Sequence, residues 1–127
     1  MSKALEMAEL RPHAIDYINL HGTGTVNNDS SEGTAIRRVF GEKTPPMSST
    51  KSFTGHTLGA SGGMEAVFSV LSLVHDCIFP NLRFQQPIPE TSITPQLAFE
   101  KVAVKNVLSN SFGFGGNCSS IIFSKAT

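Results

Sequence analysis

Two glycine-rich stretches of this sequence each carry a histidine beside groups that donate hydrogen bonds. Lys51 and His56 lie in Lys-Ser-Phe-Thr-Gly-His-Thr-Leu-Gly-Ala, and His21 opens His-Gly-Thr-Gly-Thr. Glycine lets the backbone turn sharply and approach a ligand closely. Two neutral histidines that donate from Nε2 make an oxyanion hole for a thioester enolate, and a nearby lysine keeps their pKa values low. The residue types therefore predict a site that stabilises negative charge.

The elements that must position these loops form an α/β pattern with a mixed sheet layered with helices. The predicted helices cover residues 2–10, 30–40 and 59–76. The predicted strands cover residues 14–20, 47–51, 78–80, 102–104, 106–110 and 119–124, and a proline-rich loop covers 81–97. The last two strands suggest an antiparallel hairpin around a glycine turn with two aromatic residues.

Three loops, at 21–25, 51–57 and 112–117, each follow a strand-like segment. If these strands are neighbours, the loops converge at one end of the sheet, where ligands bind in α/β folds. We therefore expect the two histidines and Lys51 to form one site.

The predicted helix 59–76 is apolar around most of its circumference. Its polar residues form a narrow stripe that consists of Ser61, Glu65, Ser69, Ser72 and Asp76. A helix of this kind must be buried nearly all round, and a chain of this length has little with which to cover it. We expect a missing partner: another domain, another chain or the rest of the protein. Alone, the chain should expose apolar surface around this helix and self-associate or be poorly stable.

The composition excludes several classes of protein. Ten basic residues balance ten acidic ones, so the chain lacks the excess positive charge that is typical of nucleic-acid-binding proteins. No apolar run is expected to reach the length of a membrane span, so the protein is expected to be soluble. The N-terminus is predicted to be a helix, not a signal peptide. Cys77 and Cys118 are too few for a disulfide framework, and a reducing cytoplasm fits them best.

The three motifs together resemble the C-terminal part of β-ketoacyl-acyl carrier protein synthases, condensing enzymes of the thiolase-like fold. They are His-Gly-Thr-Gly-Thr at 21–25, Lys-x-x-x-Gly-His-x-x-Gly-Ala at 51–60 and Gly-Phe-Gly-Gly-Asn at 113–117. They occur in the family's order, and the resemblance extends over essentially the whole chain. It implies an acyltransferase of fatty acid or polyketide-type biosynthesis. Such an enzyme condenses an acyl thioester with malonyl-acyl carrier protein and releases carbon dioxide. The resemblance implies no cofactor beyond the phosphopantetheine of the carrier.

The resemblance also implies roles for the charged residues and histidines of the motifs. His21 and His56 are similar to the paired catalytic histidines that stabilise the enolate, and His56 would also activate water. Lys51 resembles the lysine that orders the site electrostatically. Glu65 resembles the buried glutamate that is its partner.

Three further residues resemble groups that contact the substrate. Thr23 and Thr25 are similar to the hydroxyls that hold the phosphopantetheine amides. Phe114 is similar to the gating phenylalanine at the acyl pocket, whose backbone N–H helps to form a second oxyanion hole.

One part of the family's site has no counterpart here, because the nucleophilic cysteine of the family lies on an elbow far upstream. Cys77 and Cys118 lack that context, and Val26 stands where the family often has proline. We therefore interpret residues 1–127 as one C-terminal synthase domain that lacks the N-terminal half: a fragment, a split gene product or a truncated form. We expect it to be inactive alone. Its expected partners are acyl carrier protein, the N-terminal half and, in the full-length protein, a second copy.

Other interpretations stay open at this point. The glycine loops could bind a nucleotide or cofactor phosphate, although the Gly-Lys-Ser/Thr motif of phosphate-binding loops is absent. The histidines could bind zinc with Asp29 or Glu32, although the spacing matches no standard site. The full-length protein could also be a non-catalytic partner subunit that resembles a condensing enzyme.

Overall fold

The structure is a computed structural model that describes residues 1–126 and contains one mixed four-stranded sheet. The strands are β1 (Tyr17–Asn19), β2 (Met47–Ser48), β3 (Cys77–Ile78), β4 (Glu100–Lys101), β5 (Asn106–Phe112) and β6 (Cys118–Ser124). The α-helices are α1 (Ser2–Met7), α2 (Val26–Phe40), α3 (Lys51–Thr54) and α4 (Ser61–His75). The sheet has the order β2-β1-β5-β6, and β3 pairs with β4 separately.

The sheet brings the three glycine loops together. Strand β1 runs parallel to both β2 and β5, so the carboxyl ends of all three strands lie at one edge. The chain leaves these ends towards residues 21–25, 49–56 and 113–117, close to the predicted loops at 21–25, 51–57 and 112–117. The predicted hairpin is confirmed, because β5 and β6 pair antiparallel from Asn106 with Ser124 to Phe112 with Cys118.

The two faces of the sheet carry separate apolar clusters. Alternation along β1 and β5 sends Ile18 and Leu108 to one face and Tyr17 and Val107 to the other. Helices α1 and α2 cover the first face through Leu5 and Ile36, among others. Helix α4 and β3 cover the second face through Leu73 and Ile78. The protein is therefore built in layers of helix, sheet and helix.

Several predicted boundaries were wrong. Helix α2 begins at Val26 and not at residue 30, and Lys51 begins α3 instead of ending a strand. The predicted strand 102–104 is replaced by β4 at Glu100–Lys101, because the pairing partner of this segment is the distant β3.

Helix α4 packs with its polar side inward. Its buried residues are Ser61, Glu65, Ser69, Ser72 and Leu73. Val67 and Val74, in contrast, are 55% and 66% exposed. The prediction of burial nearly all round is therefore wrong for this chain, whereas the prediction of exposed apolar surface around the helix is confirmed. Polar contacts explain the orientation: the side-chain amide of Asn19 in β1 donates to the backbone carbonyl of Glu65 at 3.1 Å.

The segment Leu58–His75 has a length of 18 residues and a mean hydropathy of 1.2, which are enough for a membrane span by length and composition alone. The expectation that no apolar run reaches this length is therefore wrong. The core helix of a soluble protein meets the same two criteria. In this chain the polar stripe of the segment lies against the sheet, as in a layer of a folded domain.

Candidate active site

His21 lies two residues after the end of β1 and is 4% exposed. The ammonium of Lys51 lies 3.2 Å from Nδ1 of His21 and donates to the carbonyl oxygen of the same residue at 2.6 Å. An ammonium has donors only, so Nδ1 is the acceptor and the ring proton lies on Nε2. Burial, the charge of Lys51 and the neighbouring His56 lower the pKa of His21 from 6.5 to about 4. The ring is therefore neutral at neutral pH.

Lys51 is held from the other side by Glu65 of α4. Its ammonium donates to Oε1 of Glu65, and the two side chains are 7% and 2% exposed. Burial raises the pKa of Glu65, and Lys51 counteracts this effect. The second carboxylate oxygen, Oε2, is buried without a hydrogen-bond partner among residues 1–126. The pair therefore carries a desolvation cost that only the ammonium offsets.

His56 lies on the loop after α3 and is exposed. Its Nδ1 accepts from the backbone N–H of Leu58 at 3.1 Å, and the hydroxyl of Ser61 lies 3.0 Å from the same atom. Because a backbone N–H can only donate, the proton of the neutral ring lies on Nε2. The His21 and His56 ring centroids are 5.5 Å apart, and the rings are nearly perpendicular at 85°.

Glu32 holds the turn that carries His21, a role that sequence reasoning missed. Its buried carboxylate accepts from the backbone N–H groups of His21 at 3.0 Å and Gly22 at 2.9 Å, and from Asn110 Nδ2 at 3.0 Å. A Glu three residues after Asp29 is also typical of a helix cap, but α2 has no side-chain cap. The available signal was its spacing four residues before Ile36, which places Glu32 on the inward face of α2.

The turn itself requires glycine. Gly22 has φ +41, and a Cβ at this position would lie 2.5 Å from Cβ of Ser49. Backbone and side chain therefore approach each other closely where β1 and β2 end.

An open cleft of about 1080 Å³ collects most of the predicted site residues. Its lining includes His21, His56, Thr23, Thr25 and Phe114. The two threonine hydroxyls form a hydrogen bond with each other at 2.8 Å.

Phe114 lies at this cleft but is 98% exposed. The aromatic residue that packs on His21 is Phe112, with ring centroids 5.6 Å apart. Phe112 is the last residue of β5 and pairs with Cys118 of β6, and this position places its ring beside the histidine.

Two predicted site residues do not line the cleft. Lys51 and Glu65 lie behind His21, and Lys51 instead lines a second cavity of about 460 Å³ under the 81–95 loop. Their position fits an effect on the histidine ring and not contact with a ligand in the cleft. Among residues 1–126, no group of three or more His, Cys, Asp or Glu side chains is arranged to hold a metal ion.

The layered α/β fold, with its loops gathered at one sheet edge, is similar to the C-terminal part of ketosynthases of the thiolase-like class. This chain belongs to the family described as Beta-ketoacyl synthase, C-terminal domain, whose model matches residues 1–85. The predicted family and fold class are confirmed.

Relatives and solved structures agree with this assignment. The mitochondrial 3-oxoacyl-[acyl-carrier-protein] synthase of Arabidopsis thaliana is 42% identical over 130 residues, which cover 97% of this chain and 28% of that protein. The ishigamide ketosynthase/chain length factor matches with a TM-score of 0.94 and 31% identity, over 99% of this chain and 32% of that one.

A further structure is a type II PKS acyl-carrier protein in complex with its ketosynthase bound to the hexaketide. It matches with a TM-score of 0.92 and 32% identity, again over 99% of this chain and 32% of that one. The chain therefore spans less than a third of the length of the proteins it matches.

Proposed function

We propose that this chain supplies the enolate-stabilising part of the active site of a 3-oxoacyl-[acyl-carrier-protein] synthase. One observation carries the proposal. His21 and His56 both use Nδ1 as an acceptor, so both present an Nε2–H, and both line the same cleft. Two fixed donors of this kind stabilise an oxyanion, because they need no reorganisation when the charge develops.

In the proposed reaction, the malonyl thioester of acyl carrier protein loses carbon dioxide. The bond from the α-carbon to the carboxylate breaks, and its electron pair moves into the thioester, whose oxygen becomes negative. The Nε2–H groups of His21 and His56 donate to that oxygen. The α-carbon then attacks the carbonyl of an acyl thioester on a cysteine. A carbon–carbon bond forms, and the cysteine thiolate leaves.

Lys51 keeps His21 in the form that this step needs. The low pKa of His21 has burial as its first cause and the charge of Lys51 as its second. A neutral imidazole keeps its proton while it donates a hydrogen bond. An imidazolium would be acidic enough to protonate the enolate, and the carbanion equivalent would be lost before condensation.

The geometry favours a donor role for His56 over activation of water, which the resemblance also implies. Nδ1 accepts from Leu58 and faces Ser61, and Nε2 carries the proton. The ring then has no free lone pair to take a proton from water. We therefore propose that His56 acts with His21 as the second oxyanion donor.

The carrier arm and the acyl chain would enter through the cleft. We propose that the hydroxyls of Thr23 and Thr25 hold the phosphopantetheine amides, and that Phe114 gates the acyl pocket with its exposed ring. The phosphopantetheine arrives on acyl carrier protein as part of the substrate, so the enzyme needs no cofactor of its own. The matched complex of a ketosynthase with its carrier protein supports this partner.

The nucleophilic cysteine is proposed to come from an N-terminal half. Cys77 is buried, and burial raises its pKa, which makes it a poor nucleophile. The same half would cover the exposed apolar face of α4. Residues 1–127 would then be one C-terminal domain of a soluble, cytoplasmic synthase that forms a homodimer.

A chimera tests this function. Residues 1–127 replace the matching segment of the Arabidopsis synthase, and carbon dioxide release from malonyl-acyl carrier protein and formation of the condensation product are measured. We expect activity in the chimera and a loss of about a hundredfold or more for His21→Ala or His56→Ala. His13→Ala and His75→Ala are the matched controls outside the cleft.

Two results would overturn the proposal. One is a folded chimera in which both His21 and His56 are replaced by alanine and the decarboxylation rate is unchanged. The other is an inactive chimera together with a nucleotide-dependent thermal shift of the isolated chain, which would favour a phosphate-binding module.

A further inference from the structure

The two cleft histidines are held in different ways. His21 is buried and its Nδ1 faces an ammonium that is fixed by Glu65, whereas His56 is exposed on a loop. The backbone N–H that reaches Nδ1 of His56 comes from Leu58, two residues further along the same loop. That bond favours the Nε2–H tautomer but does not tie the ring to the rest of the domain.

Ser61 provides a second donor to the same nitrogen. Its Oγ lies 3.0 Å from Nδ1 of His56. Nδ1 already accepts from a backbone N–H and has no proton, so the Ser61 hydroxyl must be the donor. The hydroxyl of Thr57 donates to the Ser61 oxygen at 3.5 Å. The bonds therefore run in one direction, from Thr57 to Ser61 to His56.

Ser61 also belongs to a part of the protein that is firmly packed. It is the first residue of α4 and is buried. The next residue, Gly62, lies against β5, where an added Cβ would be 3.3 Å from Oγ of Ser111. A hydrogen bond from Ser61 thus connects the His56 ring to the layer formed by α4 and the sheet.

We propose that Ser61 is a positioning residue for His56, whose hydroxyl fixes the ring orientation and the Nε2–H tautomer from the start of α4. The proposal rests on the proposed function for what His56 donates to, but the hydrogen bond itself does not depend on it. Loss of the Ser61 hydroxyl should release the ring without disturbing His21, because His21 is held by Lys51 and Glu65.

Long-range proton–nitrogen NMR of the 127-residue chain with labelled histidine tests this, because the two ring-nitrogen shifts report the tautomer of each of the four histidines. In Ser61→Ala we expect the ratio of the Nε2–H to the Nδ1–H form of His56 to fall about fivefold, the effect of one average hydrogen bond. Ser61→Thr restores the hydroxyl and should behave as the wild type. Ser69→Ala, which removes a buried hydroxyl from the same helix, should leave His56 unchanged.

An unchanged His56 spectrum in folded Ser61→Ala would overturn the proposal, as would an equal change in Ser69→Ala. If Ser61→Ala does not fold, Ser61→Cys provides the test, because the thiol fills the space of the hydroxyl but is only a weak donor. It should lower the ratio of the Nε2–H to the Nδ1–H form of His56, as Ser61→Ala should. In the chimera, Ser61→Ala should lower kcat for decarboxylation with little change in KM. An inactive parent chimera would count against the proposed function alone, since the NMR result on Ser61 would still stand.

Discussion

The ammonium of Lys51 binds His21 twice, at Nδ1 over 3.2 Å and at the backbone carbonyl oxygen over 2.6 Å. One side chain thus sets the tautomer of the ring and holds the backbone where β1 ends. Glu65 holds the same ammonium from α4. The electrostatics of the candidate site and the packing of α4 on the sheet are therefore coupled through one buried ion pair.

Removal of one partner of this pair is expected to be costly. Lys51→Met leaves the Glu65 carboxylate buried without its cation, and we expect a loss of about 3–5 kcal/mol in the free energy of unfolding. The double variant Lys51→Met/Glu65→Leu should recover most of this, because two apolar side chains replace two desolvated charges. Urea unfolding measures both, with exposed Lys43→Met as the control. A double variant no more stable than Lys51→Met would contradict the account.

The low pKa of His21 predicts a loss of stability in acid. Between pH 6.5 and about 4 the unfolded chain binds a proton at His21 and the folded chain does not. The stability that the neutral His21 ring contributes to the folded state is thus fully present above pH 6.5 and is lost as the pH falls towards 4. The free energy of unfolding of wild type minus that of His21→Gln should therefore fall by about 3 kcal/mol at most across this window. The buried glutamates titrate in both proteins and largely cancel. A pH-independent difference would contradict the assigned shift.

Glu32 is predicted to be a structural requirement of the turn that carries His21. Glu32→Ala leaves the backbone donors of His21 and Gly22 and the amide of Asn110 without their acceptor. At about 1–3 kcal/mol for each unsatisfied donor, the loss should reach about 3 kcal/mol or more. Hydrogen exchange should also accelerate at the His21 and Gly22 amides. Exposed Glu90→Ala is the control, and unchanged exchange at these two amides would refute the role.

Sequence reasoning found the convergence of the loops but missed how the site is supported. His21 and His56 were recognisable because each sits in a glycine motif that follows a strand. Glu32 was not, because a Glu three residues after Asp29 is also typical of a helix cap. The resemblance singled out Phe114, but the sequence could not show that Phe112 packs on His21, since only the pairing of β5 with β6 decides which aromatic ring faces the histidine.

The orientation of α4 could not be predicted for a similar reason. Its composition showed that apolar cover is needed on nearly all sides, but not which side the sheet occupies. The sheet takes the polar side because the Glu65 carboxylate pairs with Lys51 and the Glu65 backbone carbonyl accepts from the Asn19 amide. The polar stripe was visible in the sequence, but its partners on the sheet side are distant in sequence, so nothing showed that the stripe faces inward.

Neither cysteine is expected to carry an acyl group in the isolated chain. Cys77 is buried, while Cys118 is exposed at the edge of the cleft but lies at the start of a strand without a nucleophile elbow. Intact mass after incubation with an acyl-thioester donor should show no stoichiometric adduct. Iodoacetamide is the positive control and should label Cys118 before Cys77. A stoichiometric acyl adduct on either cysteine would show that the chain contains its own nucleophile.

The exposed face of α4 should drive self-association of the isolated chain. Val67 and Val74 are 55% and 66% exposed on this face, which continues through Val70 and Met64. We expect concentration-dependent association in sedimentation, and a shift to monomer in Val67→Glu/Val74→Glu with no loss of thermal stability. Thr34→Glu, an exposed site on α2, is the control for added charge. A wild-type chain that is a monodisperse monomer with high Tm would contradict this prediction.

The same pair of substitutions tests whether the exposed face of α4 is an interface for the N-terminal half or only an apolar surface that self-associates. In the chimera, the N-terminal half is proposed to cover α4, so two buried carboxylates would then be left without partners, at a cost of several kcal/mol. Val67→Glu/Val74→Glu should therefore make the isolated chain monomeric, whereas in the chimera it should abolish folding and activity. Thr34→Glu should change neither. If the chimera tolerates both glutamates, the face stays exposed to solvent there as well, and its apolar residues need another explanation.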